Sequence, residues 1–373
     1  MMWRFLGFKM DRAVLGTAAI AFVLMAVPAP GARAQQAAPS QTPAAVAPQP
    51  TEDPAHAAKL KAFAAWLKGV REEGLTRGIR PATLDSALTG LTLIERVVQL
   101  DRRQPEFTQT FRQYINARVS PWRVNTGRDR LRQHKENLTR AGEKYGVQPR
   151  FLVALWGIET SFGRATGKFS VVQALATLAF DGRRSAYFRK ELFNALAIID
   201  AGHITAQGMK GSWAGAMGQN QFMPSSFLAY AVDGNGDGKR DIWGTTADVF
   251  ASSANYLKQS GWRDDQTWGR EVRLPEGFAD KIADLMPKNP KRGCRDLRKL
   301  SVEKTLAEWS ALGLRAADGG ALPKKAGPKA SLVLPDGPGG PALLVYGNFR
   351  ATMKWNCSIL FASAVGMLAD RLR

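Results

Sequence analysis

The segment Phe151-Leu-Val-Ala-Leu-Trp-Gly-Ile-Glu159-Thr-Ser-Phe162-Gly163 holds one carboxylate in a run otherwise apolar enough to be a buried helix. Pro149 suits the first turn of that helix and Gly163 a position just past its end. Glu159 then falls in the last turn, near the negative end of the helix dipole. Apolar neighbours and the dipole both disfavour the charged form, which predicts a raised pKa. A carboxyl that keeps its proton near neutral pH is equipped to be a general acid.

Upstream of this segment, Leu60, Phe63, Ala64, Leu67 and Val70 have the spacing of a helix with one buried face, and helical patterns continue to about Asn116. Residues 128–144 alternate charge with apolar spacing and predict one long solvated helix. From the Glu159 segment to about Gly261, short helices and tight Gly-containing loops dominate. Short β-type runs at Val272–Leu274, Ser331–Leu334 and Ala342–Tyr346, separated by Pro and Gly, predict a small β-rich insertion. Asn356–Leu372 closes the chain with the spacing of a packed helix.

The first residues combine Arg4, Lys9 and Arg12 with an apolar run from Ala13 to Val27 and a small-residue site at Ala32-Arg33-Ala34. Residues 1–34 therefore read as a secretory signal peptide. A spanning helix needs about 20 apolar residues, and Pro28 and Pro30 close this run short of that. No membrane span is expected after cleavage, and the destination is the periplasm if the source is a diderm bacterium. Residues 35–55 are rich in Ala, Pro, Gln and Thr and predict a disordered linker.

The formal charge is +20, and removing residues 1–34 takes away Arg4, Lys9, Arg12, Arg33 and Asp11, leaving +17. So strong a bias points to an anionic partner. No nucleic-acid motif is present, so a wall polymer or membrane face is the better reading. Cys294 and Cys357 have no metal-like neighbours, and a disulfide between them is preferred over two buried thiols. Three scattered histidines, His56, His134 and His203, argue against a histidine-based metal or nucleophile site. Nothing in the sequence fixes an oligomeric state.

A second segment, Ser212-Trp213-Ala-Gly-Ala-Met-Gly218-Gln-Asn-Gln221-Phe-Met-Pro224-Ser225-Ser226-Phe227, alternates small residues with amides and hydroxyls. Small residues let a polymer lie close to the backbone, and amides and hydroxyls supply directional bonds to sugars. An ordinary Gly-rich loop would read the same way. Paired with the Glu159 segment, however, it resembles the lytic murein transglycosylase B family, and the resemblance runs from roughly residue 56 to the C-terminus.

The resemblance implies a mainly α (α+β) protein: a lysozyme-like catalytic core with an α-helical flanking domain and a small β-rich insertion. On this chain the flanking domain would cover 56–125, the core 126–265, the β-rich domain 266–347 and a C-terminal helix 348–373. It also implies cleavage of the β-1,4 bond between N-acetylmuramic acid and N-acetylglucosamine in peptidoglycan, leaving a 1,6-anhydro-muramyl end. Neither segment offers a second acid, so Glu159 would serve as acid and then base, helped by the substrate's acetamido group. By position, Ser212 would sit beside that acetamido group, Gln221 would bind sugar and Tyr256 would line the groove. Trp355-Asn356-Cys357-Ser358 resembles the family's Tyr-Asn-x-Ser, with Trp for Tyr. Trp355 could stack on a sugar, and Asn356 would be a cleft residue or the N-cap of the last helix. A muramidase on the same fold and a non-catalytic wall-binding protein are the alternatives.

Asp233-Gly-Asn235-Gly-Asp237-Gly238-Lys239-Arg240-Asp241 matches the start of an EF-hand loop, with oxygen ligands at alternate positions and Gly at the turn. The twelfth position is Gly244 rather than Glu. The family's loop ends later, which makes Asp248 the candidate closing ligand, with Lys239 contributing its carbonyl. A structural Ca2+ is the expected ion, and no catalytic cofactor is expected.

Overall fold

A computed structural model describes residues 53–102, 109–288, 294–323 and 327–373. The predicted signal peptide and nearly all of the predicted linker lie outside the described residues. The first helix, Pro54–Thr76, starts at the end of the predicted linker, with the Asp53 side chain capping it by accepting from Ala55 N.

The protein is mainly α. Its centre is the helix Pro149–Thr160, in which every residue from Phe151 to Thr160 is buried except Glu159. Pro149 occupies the first turn, where its missing N–H costs nothing. Around this helix pack Pro121–Gln133, Lys135–Tyr145, Thr246–Gln259 and the C-terminal Ile359–Arg371. A second core is built by Val171–Asp181 and Ser185–Asp200, covered by the N-terminal helices Pro54–Thr76, Pro81–Leu88 and Glu95–Arg102.

The predicted single helix over 128–144 is two helices that meet at His134. The His134 imidazole packs edge-on against Trp156 and Phe250, at 5.5 Å from each. Burying that ring requires the backbone to leave the helical path at φ −107°, ψ 22°. The packed helix predicted over Asn356–Leu372 is Ile359–Arg371, while the single C-terminal helix that the resemblance implies over 348–373 is divided into Gly347–Trp355 and Ile359–Arg371. Ser358, not Asn356, caps the second of these, its Oγ accepting from Phe361 N. Asn356 is the C-cap of the first.

The β-rich segment forms a four-stranded antiparallel sheet in the order Arg315–Ala316, Gly269–Arg273, Ala342–Val345, Ser331–Val333. Its own small core centres on Trp309, which is fully buried and donates from Nε1 to Ala330 O. Several attachments join this segment to the helices, two of them at the C-terminal helices. Trp268, at the head of the second strand, donates to Asp370 Oδ2 at 2.8 Å and lays its indole on Gly366 of the C-terminal helix. Cys294 and Cys357 are bonded, with Cα atoms 5.4 Å apart.

A Cβ at Gly366 would lie 2.2 Å from the Trp268 ring, far inside contact distance. The neighbour is a broad, buried aromatic face that cannot swing aside. Gly366→Ala should therefore lower stability by about 1–3 kcal/mol through overpacking, measured by urea unfolding. An unchanged midpoint would show that the Trp268 contact yields freely.

Candidate functional site

Glu159 ends its helix against an unusual turn. Ser161 (φ 50°), Phe162 (φ 61°) and Gly163 (φ 80°) follow one another in left-handed conformation. For a bulky residue such as Phe162 this is a costly backbone, of order 1–3 kcal/mol. It is held by packing: the Phe162 ring is buried beside Gly157 and edge-on to Trp156, 5.6 Å away. Gly163 is needed for a second reason, since a Cβ there would meet Gln219 Oε1 at 2.3 Å.

Gln219 draws the second sequence segment onto the Glu159 helix. Its Oε1 accepts from Trp156 Nε1 at 2.8 Å, and its main-chain oxygen accepts from Thr160 Oγ1 at 3.0 Å. Its Nε2 donates to Trp243 O. Asn220 beside it is buried and donates to Val249 O and Ser253 Oγ. The sequence reading passed over both amides; their place between small residues, where side chains can reach the backbone, was the available signal.

The Glu159 carboxyl keeps partial exposure, and its Oε1 accepts a hydrogen bond from Trp355 Nε1 at 2.7 Å. Burial pushes its pKa up to about 7, and the Trp355 bond works against that rise. The helix dipole matters less than its position suggested. Arg123, itself buried, donates from Nε to Gly157 O and from Nη2 to Ser161 Oγ, placing positive charge at the helix end. Desolvation is the dominant cause.

Trp355 was expected to stack on sugar. Its indole N–H reaches the acid, and the ring packs against Phe222 at 5.0 Å and Tyr256 at 4.7 Å between centroids. Tyr256, expected to line the groove, stands behind Trp355 and supports it. It is buried, its hydroxyl donates to Lys354 O at 2.7 Å, and burial holds its phenol at about 12. Asn356 is exposed beside Trp355.

Ser212 is half-buried at the head of a tight loop. Its Oγ accepts from Ala216 N at 3.0 Å, and its N–H donates to Ala216 O. Among the described residues Gln221 is the third non-glycine with left-handed backbone, at φ 51°. Its Nε2 donates to Thr166 O and Gly218 O, so its amide clasps the loop and leaves Oε1 without a protein donor among the described residues. All three such residues belong to the two segments that the sequence singles out.

The acidic loop is distinct from this site. Asp233 accepts from Gly236 N and Gly238 N, and the left-handed Gly236 and Gly238 make the turns an EF-hand-like loop needs. Asn235 donates to Asp237, which accepts from Lys239 N. Asp241 differs from its expected role: its oxygens accept from Trp243 N, Gly244 N and Thr245 Oγ1 as a clasp on the following helix. Asp248 is fully buried, accepts from Gly234 N and Asp241 N, and has a raised pKa from burial and from the charges of Asp233 and Asp237. Among the described residues no group of three or more acidic, His or Cys side chains is gathered closely enough to hold an ion. A buried carboxylate opposed by two more is nonetheless a charge arrangement that a cation relieves.

Comparison with known proteins adds the following. The family described as the transglycosylase SLT domain matches residues 62–370. Membrane-bound lytic murein transglycosylase B of Escherichia coli is 40% identical over 190 residues, which are 48% of this chain and 52% of that protein. The chain thus matches about half the length of that relative. The crystal structure of SltB3 from Pseudomonas aeruginosa in complex with NAG-anhNAM-pentapeptide is 44% identical, with TM-score 0.76, covering 83% of this chain and 78% of that one. An Escherichia coli lytic transglycosylase solved in complex with calcium is 29% identical, with TM-score 0.66, covering 82% and 92%. These neighbours give the helical core its lysozyme-like assignment. No helix among the described residues is long and apolar enough to cross a membrane.

A proton held to about pH 7 has a cost in stability. Between the ordinary value of 4.5 and about 7 the folded state binds the proton and the unfolded state releases it. Stability therefore falls as pH rises through that window, by about 3 kcal/mol in total at 1.36 kcal/mol per unit. Trp355→Phe removes the one donor to the carboxylate among the described residues. The Glu159 carboxyl should then titrate above its wild-type value in an NMR titration of labelled glutamate; an unmoved or lowered midpoint would contradict the assigned bond.

Proposed function

Because the chain belongs to the transglycosylase SLT domain family, we propose that it is a lytic murein transglycosylase acting on peptidoglycan through Glu159 alone. One observation carries this reading. Glu159 is largely desolvated, burial pushes its pKa up to about 7, and among the described residues no second carboxylate contributes to that shift. Two-carboxylate glycosidases place the second group about 5–9.5 Å from the first. At such separations its charge would act on the Glu159 proton.

In the proposed reaction, the Glu159 carboxyl gives its proton to the oxygen linking N-acetylmuramic acid to N-acetylglucosamine, and the C1–O bond breaks. The neighbouring acetamido oxygen bonds to C1 and carries the developing charge. The Glu159 carboxylate then takes the C6 hydroxyl proton while O6 displaces the acetamido oxygen. Both products leave, one with a 1,6-anhydro ring, and Glu159 is again protonated. Trp355 aims the carboxyl and moderates its basicity for the second half. Ser212, Gln221 and Asn356 are proposed as contacts for the sugar. The domain boundaries set out above and export through residues 1–34 to the periplasm complete the reading. The Cys294–Cys357 disulfide supports export, since such bonds persist in oxidising compartments.

Glu159→Gln should fold, bind peptidoglycan and release no anhydro-muropeptide, a rate loss of 10³-fold or more as expected when an essential proton donor is removed. Mass spectrometry of the digest reads this. Products one water heavier from the wild type would assign a hydrolase instead.

The acidic loop is proposed to take Ca2+ through Asp233, Asn235, Asp237, the Lys239 carbonyl and Asp248, as a structural ion that relieves the buried charge of Asp248. Ca2+ at 100 times its Kd should stabilise the fold by about 2.7 kcal/mol, and Asp248→Asn should abolish that gain. A Tm indifferent to Ca2+ and chelator would remove the site.

A further inference from the structure

The charge of +17 on the chain without residues 1–34 is not explained by a sugar backbone, whose hydroxyl and acetamido groups are neutral. The anionic groups of peptidoglycan are the carboxylates of its peptides. A cleft of about 1040 Å3 lies between the helix Phe111–Arg118, the strand Gly269–Arg273, the Gly339–Ala342 turn and the end of the C-terminal helix. Arg112, Arg270, Arg273 and Arg371 line it, and among the described residues none of them has a carboxylate within salt-bridge distance. Asp370, also on the wall, is already held by Arg150, Arg373 and Trp268, which leaves Glu271 as the remaining acid. Thr267 Oγ1, on the same wall, is a buried hydroxyl with no partner.

The cleft is one helix away from the acid. The helix Phe111–Arg118 gives Arg112 and Asn116 to the cleft and packs on the C-terminal helix. The C-terminal helix gives Asp370 and Arg371 to the cleft and lays Leu368 beside Gly157 of the Glu159 helix. A helix with its side chains is about 10–12 Å across. An extended peptide of five residues reaches roughly 17 Å, which lets it contact protein well beyond the sugar that carries it. Guanidinium groups pair with carboxylates in two parallel hydrogen bonds, a geometry that selects for peptide carboxylates over the neutral glycan.

We infer that this arginine cleft binds the carboxylates of the peptides carried by the glycan strand. The inference rests on the peptidoglycan-cleaving reading above and names the part of the polymer that the charge recognises. Arg112 and Arg273 are both exposed, and neither touches the Glu159 site. The test compares wild type with Arg112→Glu/Arg273→Glu, as the full chain, on intact peptidoglycan and on the same glycan stripped of peptides by an amidase, with the lactyl carboxyls so freed capped as methylamides to keep the glycan neutral.

In the double variant KM should rise about tenfold on intact material, with kcat kept and the stripped glycan cleaved as by wild type. The difference should shrink in high salt. An unchanged KM, or an equal loss on both substrates, overturns the inference. So does binding of inorganic phosphate or phosphatidylglycerol vesicles that the variant loses while its KM stands, which would give the cleft to phosphate. If wild type cleaves neither substrate, the proposed activity is what fails. The cleft is then judged by fluorescence anisotropy of a soluble labelled stem peptide, whose binding the variant must lose for the inference to survive.

Discussion

Ionising Glu159 would leave a charge where little water can follow, because its own helix buries every neighbour from Phe151 to Thr160. Much of the surrounding structure can be read as the means of keeping that one carboxyl both protonated and reachable. The helix stops within one residue of it, in three successive left-handed residues that only tight packing of Phe162 makes tolerable. Gln219 then pins the glycine-rich loop to the same helix end. Strain and desolvation are both unfavourable terms at this spot, and the cores around Phe151, Phe250 and Leu368 offset them.

The Trp355 N–H adds a second control. Desolvation alone would hold the proton so firmly that the carboxylate, once formed, would be a high-energy base. A single 2.7 Å donor lowers that energy without adding a positive charge. Tyr256 enters only through this contact, fixing the carbonyl of Lys354 so that the next residue points its indole at the acid. Three aromatic rings, Phe222, Tyr256 and Trp355, thus serve one hydrogen bond.

The position of Glu159 was legible because a lone acid in an apolar run is a local signal, and the Pro149 start of its helix is chemically obvious. The three longer strands were legible for similar reasons, while the two-residue edge strand Arg315–Ala316 is too short to leave a pattern. His134 was misread because periodicity records which face is buried and not where a ring must turn inward. The partnership of Trp355 with Glu159 spans 196 residues, and no local rule anticipates a bond of that separation. Gln221 was singled out as a sugar ligand, yet the geometry it adopts, with a left-handed backbone and two loop clasps, is a tertiary fact. For the acidic loop, spacing suggested Asp241 as a ligand, whereas its oxygens are taken up by the start of the following helix.

Cys357 lies just beyond Trp355, and its bond to Cys294 closes a loop across 63 residues. In the chain-entropy account such a closure removes about 4 kcal/mol of freedom from the unfolded chain. The same bond tethers the short turn that follows Trp355 and joins two helices. Thiols stay reduced in the compartment of synthesis, so this tether can close only once the chain reaches oxidising surroundings. The covalent framework beside the indole donor is therefore complete only where thiols are oxidised.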